Sequence, residues 1–396
     1  MVKKYNLENE LIIREERFRK NLSLYDSEWA LAVFFDSLDI FYFTGTMQNG
    51  VFIIPRDSES LFFVKKSYDR AIIESPLRNI YPIRSFRQIK DHIKANRGRL
   101  YMHKAKTNIL TSERFNKYFA FSDILALDKP YYMTRAVKSE YEIEMQKASG
   151  IILRDALEKF ARNEIKEGIS EFELGFKIYS YMVDRGHELI TRSNNLSIGL
   201  FTGDVSFSEN GCFYNAHDGP VGSKGLSTSA PFFGSKERLL RKGDTIIIDM
   251  VCNIGGYNTD KTIVYCLGSA EKNIGYEHEK CIEIEGLIVS MMKPGGIPAN
   301  IYETIMNSLD KDFKINFMGY GSNQVKFLGH GIGLTVDEYP VIARSFLDPL
   351  EESMTLAVEP KKCVDNRCIV GSENTYLITK EGAISITGNC NKIIEL

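Results

Sequence analysis

The feature that most constrains the fold is the stretch 245–268, in which two apolar, β-branched runs flank a pair of glycines. Such runs on either side of a Gly-Gly step predict a β-hairpin. If the two-residue turn is Ile254-Gly255, Asp249 lies directly opposite Asp260. Opposed carboxylates repel, and a carboxylate that continues a buried run is costly unless it is paired or binds a metal. We therefore expect a cation between them.

A second hairpin repeats this arrangement. Strand-forming residues at 354–359 and 368–378 flank a turn at 365–367. A turn centred on Asn366 places Glu359 opposite Glu373. Taken alone, the first hairpin also allows a longer turn, another register and two solvent-exposed carboxylates. The repetition within one region argues against that alternative.

A histidine lies between the two hairpins, in Gly329-His330-Gly331-Ile332-Gly333-Leu334. The glycines leave little bulk around one imidazole, as a crowded metal site requires. The spacing GxGxG and the absence of a following helical pattern disfavour a phosphate-binding loop. A lone histidine is ordinarily a packing residue, but the position between four facing carboxylates favours a metal ligand.

Composition indicates a soluble globular protein of two domains: 396 residues, 43% hydrophobic, with a net charge of −2. Without a block of lysine or arginine, neither nucleic acid nor an anionic membrane is an expected partner. The charged N-terminus has no signal-peptide core, and no run approaches about 20 apolar residues. Seven cysteines, all from Cys212 onward and without a CxxC pair, fit reduced thiols. We therefore expect a cytoplasmic protein.

Residues 1–127 are predicted to form an α/β domain. A charged helix at 8–24 precedes short apolar strands, and later helices alternate with further strands. The expected strands are 29–35, 40–43, 51–54, 61–64, 100–102 and 124–127, and the later helices are 87–95 and 112–119. His92 and His103 stand alone in the sequence, which is typical of surface or packing residues. No catalytic constellation is found here, so a supporting or dimerising role is expected.

Residues 128–396 are predicted to form an α+β domain with an internal duplication. Capping boxes at 139–142 and 170–173 begin two helices, the second ending at Arg185 before Gly186. Further helices are predicted at 273–292 and 299–309. Because helix, helix and carboxylate hairpin occur twice, we expect two halves about a pseudo-two-fold axis. Both hairpins would then share one sheet, and the four carboxylates would converge.

Five residues resemble the ligand pattern of the pita-bread metallopeptidases: Asp249, Asp260 in GYNTDKT, His330 in GHGIGL, Glu359 in VEP and Glu373 in SENT. The N-terminal part and Val137-Lys138-Ser139 are similar to the branch of prolidase, aminopeptidase P and creatinase. The resemblance implies a creatinase/prolidase-like α/β domain at 1–127 and a pita-bread catalytic domain at 128–396.

The resemblance also implies two divalent metal ions. Asp249 would hold one, Asp260 and Glu373 would bridge both, and His330 with Glu359 would complete the second. Such a ligand set suits Mn²⁺, Fe²⁺, Co²⁺ or Zn²⁺, with Mn²⁺ favoured. Two cations about 3.5–4 Å apart activate a water and polarise a carbonyl, and Glu359 would carry the proton to the leaving amine. The expected protein is a homodimeric Xaa-Pro aminopeptidase or dipeptidase acting on short peptides.

Three positions depart from this family. Phe232 aligns with its substrate-facing histidine, Asp337 with the histidine of a His-Glu pair, and Ile263 with an arginine. Loss of one oxyanion donor typically costs about 10²–10³ in rate. His217, in a Gly- and Ser-rich loop before the first ligand strand, is a candidate replacement, although an exposed loop pair with Asp218 is the alternative. Asp337 is the other candidate, because it follows His330 by seven positions.

A second class of function stays open, because the metal-ligand pattern is kept while the substrate-facing residues have changed. The chain would then be a metal-dependent lyase or another enzyme of a small metabolite. Creatinase itself fits poorly, since it works without these metals and lacks this ligand set. A metal-free peptide-binding module is disfavoured as well, because a pure binder does not need four buried carboxylates and a histidine.

Overall fold

The structure is a computed structural model that describes residues 5–93, 99–119, 121, 123–194, 203–214 and 217–396. The chain divides into two compact units between Arg135 and Ala136. The boundary expected from the sequence, after residue 127, lies at the start of the helix Asp128–Ala136. The two positions therefore differ by the length of that helix.

The first unit is built on a mixed six-stranded sheet. Its helices are α1 (Leu7–Tyr25), α2 (Ser37–Thr44), α3 (Tyr68–Glu74), α4 (Ile109–Phe119) and α5 (Asp128–Ala136). Its strands are β1 (Trp29–Phe34), β2 (Gly50–Pro55), β3 (Leu61–Val64), β4 (Ile80–Pro82), β5 (Arg99–Met102) and β6 (Ile124–Ala126). The strand order is β4-β3-β2-β1-β5-β6, with β2 antiparallel to both neighbours and the remaining pairs parallel. The expected α/β character of this part is confirmed.

The strand predicted at 40–43 is wrong, because these residues lie in α2. Asp36 caps the helix by accepting from the backbone N–H groups of Leu38 and Asp39, and Gly45 ends it at a φ of 75°. A short apolar run cannot by itself distinguish a buried strand from a buried helix. The helix predicted at 87–95 is a 3₁₀ turn, Phe86–Asp91, and residues 94–95 lie outside the described residues.

The second unit contains the remaining elements. Its helices are α6 (Glu140–Asp155), α7 (Ala161–Glu164), α8 (Glu171–Val183), α9 (Lys272–Met291), α10 (Pro298–Ser308) and α11 (Lys311–Lys314), with a π-helical turn at Ala156–Phe160 and a 3₁₀ turn at Ser208–Cys212. Its strands are β7 (Gly203–Phe207), β8 (Thr245–Ile254), β9 (Tyr257–Cys266), β10 (Gly329–Gly331), β11 (Glu338–Val341), β12 (Thr355–Val358), β13 (Lys361–Val364), β14 (Cys368–Gly371), β15 (Glu373–Ile378), β16 (Ala383–Ser385) and β17 (Ile394–Glu395).

The duplication expected from the sequence is visible in the sheet and in its two cores. The nine-stranded sheet has the order β11-β10-β12-β15-β9-β8-β7, with β16 on β15 and β17 on β9. Pairing of β9 with β15 joins the two hairpin systems. Residues of α6 and α8 pack with those of β8 and β9 in one apolar cluster, and residues of α9 and α10 pack with those of β12 and β15 in another. Each half thus buries its own helix pair.

The helix ends follow the predicted capping signals closely. Ser139 and Glu142 form a reciprocal capping box at the start of α6. Ser170 accepts a hydrogen bond from the backbone N–H of Glu173 at the start of α8, which ends at Val183 rather than at Arg185. Helices α9 and α10 each begin and end one residue before the predicted positions.

The predicted register of the first hairpin is wrong by two positions. Asp249 lies opposite Thr262 and Asp260 lies opposite Val251, because the turn is Gly255-Gly256 rather than Ile254-Gly255. Both glycines have positive φ, 58° and 80°, as a type I′ turn requires. A slip of two residues keeps every side chain on its original face, whereas a slip of one would have reversed it. The two carboxylates therefore share a face, but a neutral residue opposes each.

The predicted register of the second hairpin is confirmed. Ala357 pairs with Thr375 between β12 and β15, and Lys361 pairs with Gly371 between β13 and β14, as a turn centred on Asn366 requires. The ladder is interrupted at Glu359-Pro360, because proline has no N–H to donate to a strand partner. Glu359 therefore lies at the junction of two strand pairs.

None of the helices that the structure describes has the length and apolar character needed to cross a lipid bilayer. All seven cysteines are free, and six of them are buried. The expectation of unpaired thiols in the core is confirmed.

Candidate active site

All five ligands expected from the sequence line one cavity of about 220 Å³ in the second unit. Neighbouring elements of the nine-stranded sheet supply them. Asp249 comes from β8, Asp260 from β9, His330 from β10, Glu359 from the end of β12 and Glu373 from the start of β15. The convergence follows from the pairing of β9 with β15, which brings residues 113 positions apart in the chain into contact.

The glycines beside His330 are needed for close strand packing. A Cβ on Gly329 would lie 2.4 Å from the carbonyl oxygen of Ala357, and one on Gly331 would lie 2.4 Å from that of Tyr339. Strand β10 therefore fits between its neighbours only without side chains at these positions. The expectation of a thin backbone around the imidazole is confirmed.

One nitrogen of His330 faces the carboxylates. Nδ1 lies 3.1 Å from the carbonyl oxygen of Gly331, which can only accept, so Nδ1 carries the proton of the neutral ring. Nε2 lies 3.4 Å from Oε1 of Glu359 and 4.0 Å from Oε1 of Glu373. A backbone partner on one ring nitrogen that orients the other is the usual arrangement of a metal-binding histidine.

Three of the five side chains fit a single divalent ion. Asp260, His330 and Glu373 each offer one donor atom, and these atoms lie within 4.8 Å of one another. Oδ1 of Asp260 is buried and has no hydrogen-bond partner among the described residues. A buried carboxylate oxygen without a donor is costly, and an ion bound here would remove that cost. Two carboxylates and an imidazole are ligands that first-row divalent metals accept.

A lysine that the sequence analysis did not consider lies in the centre of the carboxylates. Nζ of Lys361 is 3.1 Å from Oδ2 of Asp249, 2.9 Å from Oε2 of Glu359 and 2.6 Å from Oε2 of Glu373. The lysine side chain is fully buried. The available signal was its position two residues after Glu359, since alternate residues of a strand share a face.

The cluster carries a deficit of positive charge. Burial and the charge of Glu359 raise the pKa of Glu373 to about 8, and burial with Glu373 and Asp249 raises the pKa of Asp260 well above its usual value. Burial also opposes ionisation of Glu359, but Lys361 and His330 outweigh it and lower that pKa to about 2. The raised pKa values of Glu373 and Asp260 show that Lys361 alone does not compensate the cluster when all four carboxylates are ionised.

Two threonines position the carboxylate strands. Thr262 donates through Oγ1 to Oε2 of Glu373 over 3.0 Å. Thr375 accepts from the backbone N–H of Asp260 over 2.9 Å and donates to its carbonyl oxygen over 3.0 Å. These bonds cross from β9 to β15, so they hold Asp260 and Glu373 at a fixed separation.

The two candidate replacements for the missing histidines also line the cavity. Asp337 accepts from the backbone N–H of Asn194 over 2.6 Å and from Oγ of Ser193 over 3.2 Å. His217 lies with Nε2 3.9 Å from Oδ2 of the buried Asp204, which is the strand partner of Asp249. Asp218 lines the same cavity.

Phe232 takes no part in the cavity. It is partly buried and packs against the apolar cluster of the first half, which also contains Ile263. Glu338, the second member of the aligned pair, is buried with Oε2 3.4 Å from Nζ of Lys138. The position that aligns with the family's substrate-facing histidine therefore packs against an apolar cluster in this chain and does not line the cavity.

Comparison with known families matches both units. Residues 144–380 match the model of metallopeptidase family M24, and residues 14–137 match the creatinase/prolidase N-terminal domain. Among curated proteins, the chain is similar to an Xaa-Pro dipeptidase of Pyrococcus furiosus, with 26% identity over 94% of this chain and 98% of the relative.

Solved structures share the fold over nearly the whole chain. The Xaa-Pro dipeptidase of Bacillus anthracis superimposes with a TM-score of 0.78 at 18% identity, covering 98% of this chain and 100% of that structure. The X-Pro aminopeptidase of Thermotoga maritima gives a TM-score of 0.75 at 20% identity, covering 96% and 99%. Both identities are low enough that these likenesses establish the pita-bread architecture alone. The match to the M24 model spans more than half of the 396 residues, and the chain therefore belongs to metallopeptidase family M24, with an N-terminal domain of the creatinase/prolidase type.

Proposed function

We propose that this chain is a metal-dependent hydrolase that cleaves the peptide bond of short Xaa-Pro peptides. The observation that carries the proposal is the convergence of Asp260, His330 and Glu373 within 4.8 Å of one another, beside Asp249 and Glu359 in one cavity. Membership of family M24 supports the reaction class, and the names of the Xaa-Pro dipeptidase and X-Pro aminopeptidase relatives support the substrate class.

We assign separate roles in metal binding and proton transfer to the residues of the cavity. Asp260, His330 and Glu373 would hold divalent metal, which supplies a water of lowered pKa and polarises the scissile carbonyl. Glu359 is buried, and its low pKa keeps it ionised at neutral pH. An ionised carboxylate at this position can accept the proton of the attacking water and deliver it to the leaving amine.

The size of the cavity favours a small substrate. Its volume of about 220 Å³ lies below the roughly 300–1,000 Å³ of pockets that take drug-sized ligands. Phe327 lines the cavity with its ring centroid 6.0 Å from that of His330, and Val341 adds a second apolar surface. Apolar walls close to the metal ligands suit the ring of a proline residue. A dipeptide or tripeptide therefore fits this geometry better than a long chain.

His217 and Asp337 are our candidates for contacts with the substrate. His217 can donate a hydrogen bond to developing negative charge, whereas the side chain of Phe232 cannot. We expect His217→Ala to lower kcat by about 10² while the metal content stays unchanged. His92→Ala is the matched control, because His92 packs on Tyr81 in the first unit. Unchanged turnover of His217→Ala would remove this assignment.

A peptide panel tests the proposal. The protein is stripped with a chelator, reloaded with Mn²⁺, and assayed on Xaa-Pro and Xaa-Xaa dipeptides and tripeptides. We expect metal-dependent release of proline from Xaa-Pro substrates, with Glu359→Gln lowering kcat by at least about 10². If the metal-loaded protein cleaves none of these peptides, the peptidase assignment is wrong.

A second candidate is a metal-dependent lyase acting on a small metabolite. Two observations favour it. Phe232, which aligns with the family's substrate-facing histidine, packs against an apolar cluster and does not line the cavity, and Lys361 contacts three carboxylates of the acidic cluster. A lyase forms a new double bond in its product and consumes no water. If no peptide is cleaved while metal is bound, a screen of small metabolites for metal-dependent alkene formation becomes the decisive assay.

The remaining expectations are part of the same proposal. We infer a cytoplasmic location, supported by the seven free cysteines, and a homodimer, supported by the family resemblance. Mn²⁺ is our choice of metal because the cavity is rich in carboxylates. Light scattering of the purified protein and metal analysis of unsupplemented preparations test the last two points.

A further inference from the structure

The ammonium group of Lys361 has three N–H bonds and three carboxylate acceptors. Its distances to Asp249, Glu359 and Glu373 are 3.1, 2.9 and 2.6 Å. An ammonium can donate three hydrogen bonds, so this side chain is fully satisfied where it lies. Because the side chain is also fully buried, it cannot exchange these partners for water without leaving the site.

The carboxylates divide their oxygens between two positions. Oε2 of Glu359 and Oε2 of Glu373 face Lys361, whereas Oε1 of each faces Nε2 of His330. The cluster thus contains an ammonium position, bounded by Asp249, and an imidazole position, bounded by Asp260. Only the imidazole position retains a buried carboxylate oxygen without a hydrogen-bond donor among the described residues, Oδ1 of Asp260.

The ammonium position shares Asp249 and Glu373 with one of the two metal positions that the family resemblance implies. An ion held by Asp249 and Glu373 would bond their oxygens at about 2.0–2.2 Å. The same oxygens already accept hydrogen bonds from Lys361. A divalent ion there would meet a like charge at contact distance in a buried setting, where screening by solvent is weak. The two cations therefore exclude each other.

Formal charge supports a single ion. The four carboxylates contribute four negative charges and Lys361 returns one positive charge. One divalent ion leaves a net charge of minus one on the cluster. The hydrogen bond from Thr262 to Glu373 and the partial solvent exposure of Asp249 stabilise this charge. Two divalent ions together with Lys361 would leave the cluster with a net positive charge.

Lys361 is held in this direction by the backbone around it. It pairs with Gly371, whose φ is 127°. A Cβ at Gly371 would lie 2.2 Å from the carbonyl oxygen of Pro360 and 2.8 Å from Cα of Lys361. The neighbouring Lys362 points elsewhere and donates to the carbonyl oxygen of Phe313 over 2.9 Å. The side chains of Lys361 and Lys362 therefore point to opposite sides of β13.

We propose that Lys361 replaces one of the two metal ions of the family, so that this chain holds a single divalent ion at Asp260, His330 and Glu373. The ammonium supplies the positive charge between Asp249 and Glu373 that the other ion would otherwise provide. This proposal rests on the metal dependence proposed above, but it concerns the number of ions and not the substrate.

Metal stoichiometry tests the proposal without any activity assay. Purified, untagged protein is stripped with a chelator, equilibrated with excess Mn²⁺, desalted and measured by inductively coupled plasma mass spectrometry. We expect about one Mn²⁺ per chain in the natural protein and about two in Lys361→Gly. The electron paramagnetic resonance spectrum should change from that of an isolated Mn²⁺ to that of an exchange-coupled pair.

Two further variants keep the test decisive. Lys362→Met should retain one ion, because that lysine faces away from the cluster. If Lys361→Gly does not fold by circular dichroism, Lys361→Ala removes both the charge and the atoms that fill the ion position, and it should bind a second ion as well.

Two ions in the natural protein, or one ion in both Lys361 variants, would overturn the proposal. A protein that binds no Mn²⁺ would overturn it together with the metal dependence proposed above. One ion with no cleavage of any peptide would support the single-ion centre and count only against the substrate assignment.

Discussion

Two completely buried lysines lie within two residues of an expected metal ligand, and their surroundings are opposite. Lys361 meets three carboxylates. Lys261, next to Asp260 on β9, points to the other face, where Nζ lies 2.7 Å from Oδ1 of Asn374 and 3.4 Å from Oε1 of Glu158. Burial lowers the pKa of Lys261. For Lys361 the three carboxylates outweigh burial and raise the pKa well above its usual value.

The difference shows that the face of a strand, more than sequence proximity to a ligand, decides what a buried cation does. Lys261 adjoins a ligand in the sequence but compensates one partly exposed carboxylate. Lys361 is two residues from Glu359 and takes the place of an ion. A buried charge is tolerated only where partners of opposite charge or strong dipoles surround it.

Removal of the Lys361 charge should have the largest effect on stability. In chelator-treated protein, Lys361→Met leaves the four carboxylates of the cavity without the ammonium group that contacts three of them. Removing one partner of a buried ion pair typically lowers the free energy of unfolding by about 3–5 kcal/mol. Urea denaturation should show a loss of that order in the free energy of unfolding, and excess Mn²⁺ should restore most of it. A loss below about 1 kcal/mol would mean that Lys361 is not a structural cation.

Glu171 is a buried carboxylate without a lysine or arginine among its described hydrogen-bond donors, in contrast to the carboxylates around Lys361. Its donors are the backbone N–H groups of Phe207 and Ser235 and the side chain of Asn210. Burial outweighs these donors and raises its pKa to about 7. The folded state therefore holds this proton over a range in which the unfolded chain has lost it. The contribution of Glu171 to stability is fully present below the unfolded pKa, which is about 4.3, and is lost as the pH rises to about 7.

We expect this loss to be on the order of 3 kcal/mol. It is measured as the difference between the natural protein and Glu171→Gln in urea denaturation from pH 4.5 to pH 7.5. The difference should change in that window and stay level above it. A constant difference across the whole range would show that uncharged donors hold Glu171 ionised without a cation.

Lys261→Met should cost less than removal of the Lys361 charge. Glu158 keeps a fifth of its side chain exposed, so solvent still stabilises its charge, and Asn374 still accepts from Thr387. We expect a loss of about 1 kcal/mol and an unchanged Mn²⁺ content. A loss as large as that of Lys361→Met would remove the distinction between the two lysines.

Thr262→Val should have the smallest effect. The change keeps the β-branched shape opposite Asp249 and removes only the hydroxyl donor to Glu373. Lys361 still donates to the same oxygen of Glu373, so we expect a loss of about 0.5–1 kcal/mol. A loss of several kcal/mol would indicate that Thr262, and not Lys361, is the main partner of that oxygen.

The comparison also shows where sequence reasoning succeeds and where it fails. The four carboxylates could be selected because apolar, period-two patterns and turn residues fix which side chains share a face, and His330 could be selected from the glycines that flank it. The first register was wrong, yet Asp249 and Asp260 still share a face, since the error was an even number of residues. The strand predicted at 40–43 is wrong for another reason. A fully buried run of four residues shows neither the two-residue period of a strand nor the 3.6-residue period of a helix. The capping residues Asp36 and Gly45 stabilise a helix there.

Lys361 and Phe232 escaped prediction because their roles depend on contacts between distant segments. Lys361 begins a new strand pair after Pro360, and period-two counting across a proline is unreliable. Its partners come from β8 and β15 as well as from Glu359. Phe232 occupies an aligned position, but alignment by spacing from Asp249 does not reveal whether the intervening loop turns toward the cavity or toward the core.

Interactions between residues close in the chain fix the two hairpins, the helices α6 and α8 that begin after Ser139 and Ser170, and the shared face of each carboxylate pair. Contacts between distant strands fix the pairing of β9 with β15, the position of Lys361 among the carboxylates and the opposite direction of Lys261. The physical reason is that the placement of a buried charge is fixed by partners from several distant strands at once. No local pattern contains that information.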